Sequence, residues 1–151
     1  MSLDEKLGED LKTSMKAGDA LKTAVLRLLK TRVKEASVAK REALSDDEIL
    51  KIVMSESKKR KEAIELFEQG GRGDLASREK QEIEILETYL PPKLTDEELK
   101  ALVSEAVAEV DAKDPRDLGK VMKVLMPKVT GRSDGSEVSK LVKDLLAGGT
   151  N

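Results

Sequence analysis

Apolar residues recur along this chain at three- and four-residue intervals, never in sustained alternation, and that period predicts helices throughout. Leu3, Leu7, Leu11 and Met15 keep a strict four-residue spacing behind Ser2 and Glu5, which have the spacing of a reciprocal N-terminal cap. Gly18 ends this first helix and Asp19 caps a second, running to about Arg41 with Leu21, Val25, Leu28 and Leu29 on one face. Ser45 and Glu48 open a long third helix through Ile49, Ile52, Val53, Ile64 and Phe67, broken at Gly70, Gly71 and Gly73. Asp74 restarts a fourth helix through Leu75, Ile83, Leu86 and Leu90.

Pro91-Pro92 then forces extended backbone and divides the pattern. Thr95 and Glu98 cap a fifth helix through Leu99, Leu102, Val103, Ala106 and Val110. Asp114-Pro115 starts a sixth, with Leu118, Val121, Met122 and Leu125 inward and Pro127 expected to end or kink it. Asp134 and Glu137 open the last, which carries Val138, Leu141, Val142 and Leu145 and is expected to stop at Gly148-Gly149, leaving a frayed end. The expectation is an all-α chain: four helices over residues 1–90, a proline linker at 91–94, and three helices over 95–151.

Composition supports the helical reading. There is no Trp, one Tyr (Tyr89) and one Phe (Phe67), so the aromatic residues that favour strands are almost absent. The core must be built from Leu, Val, Ile, Met and Ala. Charged residues make up 38% of the chain and balance to a net charge of -2, so any polyanion site has to be a local patch. No cysteine and no histidine occur, which removes thiolate and imidazole nucleophile systems and the commonest transition-metal ligands. Glu82, Glu84 and Glu87 are paired carboxylates without the histidine that a helical di-metal site needs. No cofactor or metal is expected. No apolar run is long enough to span a membrane, and the basic start of a signal peptide is missing, so a cytoplasmic location is the default.

Three cationic groups remain. Between Asp117 and Asp134 there is no acid, yet Lys120, Lys123, Lys128 and Arg132 fall there beside a loop containing Gly131 and Gly135. Such a loop opening a helix can hold phosphate, its glycines letting backbone approach; the plain alternative is that the glycines cap and the lysines solubilise. In the second helix Arg27, Lys30, Lys34 and Arg41 share a stripe opposite the Leu21/Val25/Leu28 face and could track phosphates, or simply be solvated. Arg32 points to the apolar side and reads as an ion-pair member. Lys58-Lys59-Arg60-Lys61 spreads around its helix and reads as an exposed, salt-bridged run with Glu56, Glu62 and Glu65 in reach.

The order Leu118-Gly119-Lys120-Val121-Met122, Met126-Pro127-Lys128-Val129, Gly131-Arg132, Asp134-Gly135, Val138 and Leu141-Val142 resembles the YqeY family and the tail domain of the GatB subunit of tRNA-dependent amidotransferases. Arg27, the Lys58–Lys61 run and Ile85-Leu86-Glu87-Thr88-Tyr89-Leu90-Pro91 extend the resemblance over nearly the whole chain. It implies a helical N-terminal domain and a three-helix C-terminal domain. It also implies tRNA as partner, a link to an amidotransferase or another translation-related protein, and the family label of carbon-nitrogen ligase with glutamine as amido donor. The matched motif contains no catalytic residue, so what it implies for this chain is binding or an accessory role. The rival reading is a protein-interaction module that docks a partner through its Leu/Val/Met faces and Arg32, without RNA.

Overall fold

The computed structural model describes residues 1–148, all helical in their regular structure. The expected frayed end at 149–151 lies outside the described residues. The chain forms two compact units, one from Met1 to Pro91 and one from Pro92 onward.

In the first unit α1 spans Leu3–Ala17, α2 Ala20–Lys40, α3 Asp46–Gln69 and α4 Gly73–Glu87. The Ser2/Glu5 and Ser45/Glu48 caps form reciprocally, and the Asp19 side chain accepts from the Lys22 N–H. The core gathers Leu7, Val25, Leu26, Leu29, Val33, Ile49, Val53, Leu86 and Tyr89. Two sequence expectations need correction. Met15 is exposed, and Ser14 is buried in its place, its Oγ accepting from Thr23 Oγ1 at 2.9 Å. A strict four-residue repeat drifts about 40° per step around a helix, so the apolar row has left the interface by Met15. In α2, Leu26 and Val33 are buried while Leu21 and Leu28 are half-covered. The helix packs against α1, α3 and α4 at once, which widens its buried arc beyond one stripe.

In the second unit α5 spans Asp96–Glu109, a 3-10 turn covers Pro115–Asp117, α6 spans Leu118–Val129 and α7 Gly135–Gly148. Asp114 caps the 3-10 turn, accepting from the Arg116 N–H, so Asp114-Pro115 begins a tighter turn that feeds directly into α6. Leu94, Leu99, Val103, Ala106, Val121, Leu125, Val129, Val138, Val142 and Leu146 make the core. Pro127 neither ends nor interrupts α6, which continues to Val129. In the last turn a proline removes one backbone bond, and the fully buried Leu125 and Val129, four residues apart, hold the helical path.

Candidate nucleic-acid interface

The loop after α6 is built by backbone conformation. Thr130 (φ -56°, ψ 128°) and Gly131 (φ 79°) form the centre of a type II turn, closed by the Arg132 N–H donating to Val129 O at 2.9 Å. The third turn position needs positive φ, hence glycine. Gly131 is buried, and its positive φ serves the turn. Gly135 opens α7 facing Met126, whose Cε would sit 3.5 Å from an added Cβ. Asp134 accepts from the Ser136 N–H and so caps α7.

Arg132 is a clasp. Its Nε donates to Pro92 O at 2.9 Å, its carbonyl accepts from the Leu94 N–H at 3.1 Å, and its Nη2 lies 3.7 Å from Glu98. These bonds seat Leu94 in the core of the second unit. Its guanidinium is therefore held by the protein through Nε, with its side chain one-third exposed.

Lys120 and Lys123 differ from it. At 100° per residue they lie about 60° apart and both roughly opposite the Val121/Leu125/Val129 core line. Lys120 is exposed and only loosely tied to Asp117 at 3.7 Å. Lys123 is exposed, with no ion pair among the described residues. Lys128 sits on the flank of α6 and reaches Glu109 of α5 at 3.7 Å. The four cations of the acid-free window thus split into an outward pair, a flank and a clasp.

The α2 stripe also splits. Lys30 bonds Asp4 Oδ1 at 2.7 Å beside the small surface of Gly8. Arg41 leaves the helix altogether: it is the C-terminal cap, with φ 62°. Arg27 and Lys34 remain exposed and without ion pairs among the described residues. A continuous four-residue track does not form, because one member is neutralised and another terminates the helix.

A polar cluster that the sequence reading passed over lies between α3 and α4. Arg60, nominally inside an exposed basic run, is buried and bonds Glu56 Oε2 at 3.0 Å and the Glu56 carbonyl at 2.9 Å. Its Nε lies 3.4 Å from Glu82 and 4.0 Å from Glu79, contacts of charge without hydrogen-bond geometry. Arg32 Nε joins Glu56 Oε1 at 3.2 Å, as its position toward the apolar side suggested. Burial pushes the Glu56 carboxyl up, but hydrogen bonds from Arg60 and Arg32 and the charge of Lys59 overcome it, leaving Glu56 below the ordinary range. Burial, reinforced by Glu82, pushes Glu79 up. The only sequence clue was Arg60 standing four residues after Glu56 on the face that continues Ile49 and Val53. Lys59 pairs with Glu56 and Lys61 with Glu87, both lysines remaining exposed, as expected of a salt-bridged run.

No cluster of three or more metal-ligating side chains occurs among the described residues. A groove between α2 and α4, lined by Leu21, Asp74, Ser77, Arg78 and Gln81, and one between α5 and α7, lined by Leu99, Lys100, Glu137 and Lys140, carry mixed charges and open to solvent. No described helix is long and apolar enough to cross a membrane.

A family model described as Yqey-like protein matches residues 4–146. The chain belongs to the YqeY-like family. Among relatives, a protein of Pyrenophora tritici-repentis named "Altered inheritance of mitochondria protein 41, mitochondrial" is 25% identical over 93% of this chain and 79% of its own length. Proteins of the same name from Candida glabrata and Lachancea thermotolerans are 31% and 32% identical over 72% of this chain. The chain spans 62% and 60% of those two proteins. Their names give a compartment and an inheritance phenotype and no reaction.

Proposed function

We propose that this YqeY-like chain is a two-part helical module that binds tRNA and accompanies amidotransferase-type chemistry performed elsewhere, with Pro91-Pro92 joining its parts. The observation that carries the reading is the outer face of α6, where Lys120 and Lys123 stand exposed in a stretch with no acid between Asp117 and Asp134. Backbone phosphates dominate nucleic-acid affinity, and two exposed ammonium groups on one helix face, Lys123 unpaired among the described residues and Lys120 only loosely tied to Asp117, suit such phosphates. Lys128 extends the patch at its flank. Arg132 supports it from beneath by holding the loop, and Arg27 and Lys34 offer further cations in the first unit. The inward Leu, Val and Met faces are occupied by the two cores, which weakens the rival reading of a docking module. The module acts in the cytoplasm on this reading; the relatives' names point instead to mitochondria, and fractionation of a tagged chain against cytosolic and mitochondrial markers separates the two.

The test is tRNA binding across a salt series for wild type and a Lys120→Glu/Lys123→Glu variant. Each lost phosphate contact is expected to make the log-log slope shallower by about 0.7 to 0.9. Equal affinities and slopes would overturn the proposal. A pull-down with and without nuclease addresses the rival, since partners that survive RNA removal favour protein docking.

A further inference from the structure

Every glycine of α6 and its flanking turns but one has a task in the fold. Gly131 holds a positive φ, and Gly135 opens α7 against Met126. Gly119 has neither duty. It is exposed, its backbone φ is not positive, and an added Cβ would meet nothing within 4 Å. It does not lie at a break either, because the 3-10 turn at Pro115–Asp117 runs without interruption into α6. Gly119 is the second residue of α6, where glycine costs helix stability relative to alanine by up to about 1 kcal/mol, the value for a helix interior. The fold therefore carries a local penalty at Gly119 that nothing within the second unit requires.

The surroundings of Gly119 give that penalty a use. Gly119, Lys123 and Pro127 are spaced four residues apart and all exposed, and Lys120 stands beside them. This face has two ammonium groups, with the exposed Arg116 preceding it and paired to Asp114, and Gly119 itself adds no side chain to it. Bare helix backbone at Gly119 leaves room for another backbone to come close, while Lys123 one turn on and the adjacent Lys120, both on the same side of it, provide counter-charge. Resting on the tRNA reading above, we infer that Gly119 is a positioning residue, a close-approach seat where the sugar-phosphate backbone of the RNA lies against α6 beside Lys123 and Lys120. A methyl group there would hold the backbone off without altering charge.

The experiment uses the full chain, unfractionated tRNA as the probe, and the variants Gly119→Ala and Gly119→Gln. Thermal melts are read in parallel. Gly119→Ala is expected to melt at or above the wild-type temperature while weakening tRNA binding by about fivefold. Gly119→Gln is expected to weaken it further. The salt slope should stay at the wild-type value, because both lysines remain. If Gly119→Ala and Gly119→Gln bind tRNA as tightly as wild type while Lys120→Glu/Lys123→Glu binds less, the seat is refuted and the tRNA reading stands. If wild type and charge-reversed protein bind tRNA alike, the tRNA reading falls and the seat with it. Nuclease-resistant capture of a protein that Gly119→Gln abolishes would also overturn the inference, assigning the face to a protein instead.

Discussion

Arg60 and Lys61 are neighbours in a run of four cations, and their environments are opposite. Arg60 is buried against Glu56 and Glu82, while Lys61 is exposed and lies 3.7 Å from an exposed Glu87. Removing Arg60 takes the shared cation from Glu79 and Glu82 and leaves Glu56 only Arg32 and Lys59. Arg60→Ala is expected to cost about 3 kcal/mol or more, whereas Lys61→Ala should stay within about 0.5 kcal/mol of wild type. Urea denaturation of both variants checks the contrast, and equal costs would contradict the geometry. At this scale the sequence was a partial guide. It marked the run as salt-bridged, but a one-dimensional list of charges does not show which member is turned inward. That depends on α4 being packed against α3, which brings Glu79 and Glu82 from about twenty residues away in the chain.

At the scale of the element, helix ends were the most legible feature. Ser2/Glu5 and Ser45/Glu48 are reciprocal caps whose partners are three residues apart, so local geometry suffices to form them. Glu48 has a further task, since Lys40, at the end of α2, donates to it at 2.8 Å. That hydrogen bond, followed by the one from the Ser45 N–H, lowers the Glu48 carboxyl to about 2 from 4.5. A carboxyl depressed in the folded state contributes stability that is complete above its unfolded value and is lost as pH falls through the folded one. The melting-temperature gap between wild type and Glu48→Gln should therefore be constant above about pH 5 and close by about pH 2. A gap independent of pH would show that the charge has no part in the cap. Pro127 marks the limit of local rules. Proline chemistry predicts an end or a kink, and burial of Leu125 and Val129 carries α6 through it.

For the molecule as a whole, a net charge of -2 means that attraction to a polyanion must come from particular residues in particular places. Lys120 and Lys123 hold no buried contact, so their charge reversal should leave the melting temperature nearly unchanged while reducing tRNA affinity. A large drop in melting temperature would instead give these lysines a structural role. By itself the sequence determined the helical class, most helix starts and the acid-free window around α6, because each rests on residues within a turn or two of one another. Only the tertiary structure sorted that window into an outward pair, a flank and a clasp, withdrew Lys30 and Arg41 from the α2 stripe, and left Gly119 open with no task in the fold. The reason is physical: a cation's availability depends on which neighbours hold it, and the partners of Lys30, Lys128 and Arg132 come from segments distant in the chain, while Arg41 is displaced by the end of its own helix.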